Sequence, residues 1–256
     1  MNNLEVKILK TASDNLIFLI HDVKTGLTAS IDACEAKPTL DFIYENDWHL
    51  THILTTHHHA DHINSNRELK RRTGCAIYGF EGDKNRIPEI DILLKDEQII
   101  LFGNHKIRVI HTPGHTTGSI CYYIESAKAV FVGDTLFSSG CGKLFEGTAE
   151  QLFNSINKIL TLPEDTNIYC GHEYSHGNTR FALTLEPNNK DLLDRYAQIA
   201  DLLEAGKPTA PTTISLERKI NPFLRTGNQK LRHNLNMLGS SPLEVFTEIR
   251  NRRDSF

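Results

Sequence analysis

The chain has 256 residues, 39% hydrophobic and 23% charged, with a formal net charge of −4 at pH 7. That length supports a substantial buried core, no apolar run approaches the ~20 residues that span a bilayer, and the charge does not suit a nucleic-acid binder. The start, Met1-Asn2-Asn3-Leu4-Glu5-Val6-Lys7, lacks the order of an export signal, and the five cysteines (Cys34, Cys75, Cys121, Cys141, Cys170) form no C-x-x-C pair, so the chain reads as a cytoplasmic protein without disulfides or a thiolate metal site.

In chain order, short apolar runs rich in β-branched residues predict strands at 15–20, 27–31, 50–54, 107–110, 120–124, 130–132 and 167–169. Helical spacing at 39–44, 64–72 and 150–160 falls between them, so the first two thirds is an α/β mixture. After about Tyr174 the pattern turns helical, at 179–185, 191–204, 229–237 and 242–253, with Pro208, Pro211 and Pro222 in the loops. A boundary is expected there, with residues 1–173 as one domain and 174–256 as a helical second one. From Thr213 onward eight Lys and Arg face four Asp and Glu, against 20 and 28 in the remainder. A basic tail on an acidic body suits a small anionic ligand, or is a solvated helix face.

The strongest chemical signal is Thr56-His57-His58-His59-Ala60-Asp61-His62, directly after the predicted strand 50–54. Side chains alternate in extended chain, so His57 and His59 share one side, while Asp61 and His62 face a second position as the chain turns. Neutral imidazole and carboxylate oxygen form a donor set for Zn, Fe or Mn. Three more candidates close strands or turns: His115 in TPGHTTGS, Asp134 at the end of VFVGD, and His172 in CGHEY. A carboxylate such as Asp134 has two oxygens and can bridge two cations. Seven donors suffice for two metals. Each one alone is more often a hydrogen-bonded core or loop residue than a ligand, whereas the clustered 57–62 run without a cation would crowd unsatisfied or like-charged groups. His58 points away from its neighbours, and His21, His49, His52, His105, His111, His176 and His233 have no comparable spacing.

These residues resemble the metallo-β-lactamase superfamily, an α/β class whose αβ/βα sandwich carries a metal site at one edge of its sheets. Within it the chain is similar to the glyoxalase II (hydroxyacylglutathione hydrolase) family through TTHHHADH at 55–62, GCGKLFEGT at 140–148, CGHEY at 170–174 and NPFLR at 221–225. The likeness spans essentially the whole chain. It implies an αβ/βα sandwich followed by a C-terminal helical domain that binds glutathione. It also implies that His57, His59 and His115 hold one divalent metal, that Asp61, His62 and His172 hold the other, and that Asp134 and a hydroxide bridge them. Asp32 matches a carboxylate that orients ligands. The glutathione contacts carry over to Lys143, Tyr174, Arg250, Arg253 and the backbone near Phe145. Phe145 stands where some relatives have Tyr and lacks that hydroxyl; Arg253 stands where Lys is common, keeping the charge but changing its geometry.

The activity so implied is hydrolysis of S-D-lactoylglutathione and other S-2-hydroxyacylglutathiones to a 2-hydroxy acid and glutathione, a step in disposal of methylglyoxal. The metal-bridged hydroxide attacks the thioester, zinc is the first expectation for the metal, and the enzyme is expected to act as a monomer. Two other readings stand beside it: a glutathione persulfide dioxygenase of the same superfamily with a single iron, and a non-catalytic metal-binding scaffold.

Overall fold

The second strand, LIFLIHD over Leu16–Asp22, carries no exposed residue, the pattern of a strand covered on both faces. A computed structural model describes residues 3–11 and 14–256. It divides into two compact units, one of Met1–His111 with Gly118–Gly133, the other of Thr112–Thr117 with Asp134–Phe256.

The first unit runs β1 (Leu4–Lys10), β2 (Leu16–Asp22), β3 (Leu27–Ile31), α1 (Ala36–Glu45), β4 (His49–Leu54), α2 (Ala60–Ile63), α3 (Asn66–Thr73), β5 (Ala76–Phe80), β6 (Ile92–Leu94), β7 (Ile99–Phe102), β8 (His105–His111), β9 (Ile120–Ile124) and β10 (Ala129–Gly133). Strands β1 to β6 lie side by side in chain order, antiparallel from β1 to β3 and parallel from β3 to β6. Strands β7 to β10 form an antiparallel meander. The period of two in β2 divides its side chains between two cores. Ile17 and Leu19 pack with Leu40 and Ile43 of α1 and Leu69 of α3. Phe18, between them, meets Phe131 of β10 at 5.5 Å between ring centroids. Tyr122 of β9 donates its hydroxyl to Thr55 O at 2.8 Å, just beyond β4. The two sheets of this unit are thus packed face to face, with α1 and α3 on the outer side of the first.

Strands β1, β5, β6 and β7 have no counterpart among the sequence-predicted elements. Their apolar faces are incomplete: Ile92 and Leu93 in β6, and Ile99 and Leu101 in β7, are exposed. β6 and β7 are short edge strands, and such segments carry little periodic signal.

The second unit contains β11 (Leu136–Phe137) and β12 (Gly140–Cys141), a small hairpin, then α4 (Ala149–Ile159), β13 (Asn167–Cys170), α5 (Ser175–Leu185), α6 (Lys190–Glu204), β14 (Thr212–Thr213), α7 (Ile214–Ile220), α8 (Gln229–Asn234) and α9 (Pro242–Asp254). Five of these helices begin where the chain supplies a side-chain cap. Thr148 and Gln151 form a capping box on α4, Ser241 and Glu244 form one on α9, and Asn189, Thr213 and Asn228 cap α6, α7 and α8. Among the described residues no helix is long and apolar enough to cross a membrane.

A buried carboxylate holds the hairpin in place. Glu217 of α7, fully buried, accepts from Ser138 Oγ (3.1 Å) and Thr212 Oγ1 (2.7 Å) at one oxygen. At the other it accepts from the Ser139 N–H (2.8 Å) and Asn221 Nδ2 (3.0 Å). Asn221 Nδ2 also reaches the carbonyls of Phe137 and Gly140, at 3.1 and 3.0 Å. Burial pushes the Glu217 pKa up, while its four donors pull it back. Only a carboxylate offers acceptors on both oxygens, so Glu217→Gln sets an amide N–H₂ against two donors. That change is expected to cost about 2–3 kcal/mol of stability, read as a fall in the urea midpoint; an unshifted midpoint would show that the double acceptor is not needed.

Candidate functional site

In the first unit the chain leaving β4 is fastened before it reaches its histidines: Ile120 N–H donates to Thr56 O at 2.9 Å. Beside it, Asp32 follows β3 with a left-handed φ of 60° and is buried. One Asp32 oxygen accepts the Thr56 N–H at 2.7 Å; the other accepts the Thr56 hydroxyl at 2.9 Å and His62 Nδ1–H at 2.8 Å. Because the Thr56 hydroxyl proton is used on Asp32, its oxygen is the acceptor for His57 Nδ1–H, 3.0 Å away. One carboxylate therefore fixes the tautomer of two imidazoles, and the lone pair of each lies on Nε2. Gly133 makes room for this arrangement: its φ is +48°, and a Cβ there would stand 2.5 Å from Thr56 Oγ1.

The rings of His57 and His62 are 4.1 Å apart and those of His57 and His59 are 4.7 Å apart. Asp61 opens the short helix α2 and takes Asn15 Nδ2 on its Oδ2 at 3.2 Å. His58 turns to the buried Asp83 (3.3 Å), which also takes Arg86.

In the second unit His115 sits in the turn after Pro113 and Gly114. Gly114 is the only residue type that fits, since a Cβ there would be 2.6 Å from Leu152 Cβ of α4. The His115 carbonyl accepts the Phe145 N–H at 3.2 Å, and Gly114 O accepts the Gly147 N–H at 3.1 Å, tying the turn to the segment after the hairpin. His115 Nδ1–H donates to Lys143 O at 2.8 Å, which leaves the lone pair on Nε2. That Nε2 is 3.5 Å from Asp134 Oδ2, and His172 Nε2 is 3.3 Å from the same oxygen.

The donor chemistry of each unit fits a cation. His115 Nε2 presents a lone pair to a carboxylate oxygen, and so does His62 Nε2, 3.5 Å from Asp61 Oδ2. Lone pair against carboxylate is repulsive unless a proton or a cation lies between them, most of all at His115 and Asp134, which are both buried. His57, His59, Asp61 and His62 in the first unit, and His115, Asp134 and His172 in the second, are His and Asp groups of the kind that can hold metal ions.

A cleft of about 320 Å³ in the second unit is lined by His115 and Asp134 together with Phe137, Lys143, Phe145, Tyr174 and Arg253. Tyr174 stacks on His172, with centroids 4.7 Å apart and planes 3° apart. Phe145 is 61% exposed, and Lys143 Nζ lies 5.6 Å from its ring. Arg250 is buried in the wall, where Nη1 donates to Cys141 O (2.9 Å) and Gly142 O (3.3 Å) and Nη2 donates to Asp254 (2.9 Å). Arg253, three residues on, reaches Asn178 Oδ1 at 3.3 Å. Burial pushes the Cys141 thiol up to about 11, so the one thiol lining the cleft stays protonated and is a poor nucleophile at neutral pH. Sequence reasoning did not single out Asn178, Phe137 or Asp254 as cleft residues. The signal available for Asp254 was its place four residues after Arg250, on the same helix face.

The two sheets, the histidine run after β4 and the His and Asp donors at later loops define a metallo-β-lactamase-fold protein, and residues 23–172 match the family described as "Metallo-beta-lactamase superfamily". Residues 173–256 match the family described as "Hydroxyacylglutathione hydrolase C-terminus". A Rhizobium meliloti (strain 1021) protein named hydroxyacylglutathione hydrolase is 46% identical over 256 residues, the whole of both chains. A Methylococcus capsulatus protein of the same name is 42% identical over 253 residues, 99% of each chain. Among solved structures, that of ETHE1 from Myxococcus xanthus superposes with a TM-score of 0.68 at 25% identity, covering 98% of this chain and 99% of its own. The chain belongs to the hydroxyacylglutathione hydrolase family.

The Asp32 network carries a direct expectation. Asp32→Ala removes the acceptor that sets His62 and, through Thr56, His57. It should weaken metal affinity about 10- to 100-fold, measured by competition with a chelator of known zinc affinity; unchanged affinity would mean that the two rings are held by packing alone.

Proposed function

We propose that this chain hydrolyses S-2-hydroxyacylglutathiones, S-D-lactoylglutathione first among them, to the 2-hydroxy acid and glutathione, and so serves in methylglyoxal disposal. The observation that carries it is the shared cleft: His115 and Asp134 line the same recess as Lys143, Tyr174 and Arg253, so metal-type donors and a cationic, aromatic wall serve one ligand. The naming of full-length relatives as hydroxyacylglutathione hydrolases supports the same substrate class.

Following the family signature, His57, His59 and His115 would hold one divalent ion, Asp61, His62 and His172 a second, and Asp134 would serve both. Zinc suits these donors, as do iron and manganese. When bound there, such ions make hydroxide available at neutral pH and stabilise negative charge on a carbonyl oxygen.

The chain's own residues do the rest. Asp32 and Thr56 keep His57 and His62 in the tautomer that turns a lone pair outward, and Lys143 O does the same for His115. Lys143 and Arg253 supply positive charge for the two carboxylates of the glutathionyl group, and Tyr174 supplies a hydroxyl beside His172. The leaving group is a thiol of ordinary pKa about 8.5, so departure as thiolate needs no strong general acid. The protonated thiol of Cys141 gives no reason to invoke an acyl-enzyme. Residues 174–256 act as the glutathione-binding part in this reading, with Tyr174, Arg250 and Arg253 as its contributions, Arg250 also holding the wall in shape.

An assay of S-D-lactoylglutathione hydrolysis, followed at the thioester absorbance with elemental analysis of the same sample, tests the proposal. The expected result is turnover with two metals per chain; a fully loaded sample with one metal and no thioesterase activity would overturn it. Asp134→Ala should abolish turnover, and full activity in that variant would refute its assigned place. Arg253→Ala should raise KM for the glutathione thioester about tenfold with little change in kcat. An equal rise for a thioester of a neutral thiol would remove Arg253 from glutathione recognition.

A further inference from the structure

Asp61 stands in the first turn of the short helix α2, and its side chain is 49% exposed. A carboxylate so open to solvent samples several rotamers unless a neighbour holds it. Asn15, just before β2, does so. Its Nδ2 donates both to Asp61 O and to Asp61 Oδ2, each at 3.2 Å. Since both facing atoms are acceptors, the amide must turn its nitrogen toward them. One nitrogen thus grips the backbone and the carboxylate of the same residue, which fixes the side chain against its own main chain.

Asn15 is itself anchored. It is buried, and its carbonyl accepts the Thr11 N–H at 3.2 Å and the Thr11 hydroxyl at 3.1 Å. The other end of α2 is fastened separately, by the Ala33 N–H on His62 O at 2.7 Å and the Ser65 N–H on Ala33 O at 2.9 Å. The oxygen that Asn15 takes is the one 3.5 Å from His62 Nε2, the nitrogen whose lone pair is set by Asp32 on the far side of the ring. An amide suits this place. It orients the carboxylate and leaves its charge intact, whereas Lys or Arg there would compete with a cation for that charge. Oδ2 keeps a second lone pair to give, because a carboxylate oxygen has two.

We propose that Asn15 is a positioning residue for Asp61: its amide sets the carboxylate beside His62 so that the two can share one divalent cation, and it thereby governs the affinity of that ion. The inference rests on the metal assignment in the reading above and deepens it. Asn15 is not a ligand in this account; it acts through Asp61.

The test titrates the metal-free chain with zinc against a chromophoric chelator, for the wild type, Asn15→Ala and Asn15→Leu. Leucine is close to asparagine in size, donates nothing and shuts out a substituting water. In both variants one of the two binding steps should weaken about 10- to 100-fold, and the other should match the wild type. A merely structural contact would weaken both steps alike; that result, or two unchanged steps, would overturn the proposal. A wild-type chain that takes up a single ion would instead sink the two-metal reading. Asn15 is then judged by a crystal structure of metal-free Asn15→Ala, in which Asp61 is expected in another rotamer. An Asp61 left in place there would overturn the inference, however many ions the chain binds.

Discussion

The carboxylate of Asp32 is the constraint on which the histidine segment depends. It is buried and carries a φ of 60°, an arrangement that would be costly if its oxygens were not used. They are used in full: one on the Thr56 N–H, the other on the Thr56 hydroxyl and His62 Nδ1–H, with His57 Nδ1–H relayed through Thr56. A proton arrangement is thereby imposed on two imidazoles by one charge. Since a ring whose Nδ1 is the donor has its lone pair on Nε2, the face of the segment that presents lone pairs follows from a contact made on its other side.

The second unit uses a backbone version of the same device. His115 is oriented by the Lys143 carbonyl, and the hairpin leading to Lys143 is held from below by Glu217 and Asn221 and from the side by Arg250 on Cys141 O and Gly142 O. The residues at positions 141 to 145 therefore tie the carbonyl that orients His115, a cleft-lining cation and an exposed aromatic ring into one short stretch. A shift in the hairpin would move all three together, which couples the geometry of His115 to that of the cleft wall.

Much of this was legible in the residues. The 57–62 histidine run stands out because no other use of three imidazoles and a carboxylate at that spacing is energetically cheap, and His115, Asp134 and His172 stand out at turns or strand ends where side chains project. The helices α4, α6 and α9 were legible from their helical spacing at 150–160, 191–204 and 242–253. Less legible were β6 and β7, whose apolar residues are partly exposed, and α7, a seven-residue helix too short to show a period. The Arg pair near the end of the chain was readable as two cations on one face, but their division of labour was not. Arg250 and Arg253 differ in what packs around them, and that is a property of hairpin and helix together.

The sequence by itself determined the donor types, their order along the chain and the family, because ligand chemistry resides in residue identity and local spacing. Tertiary structure alone decided which nitrogen of His57, His62 and His115 presents its lone pair, which arginine is sealed into the wall, and that Asp254 shares a cleft with Lys143, more than a hundred residues away in the chain. Those outcomes depend on hydrogen bonds between segments far apart in sequence, and a contact of that kind leaves no periodic trace in either segment.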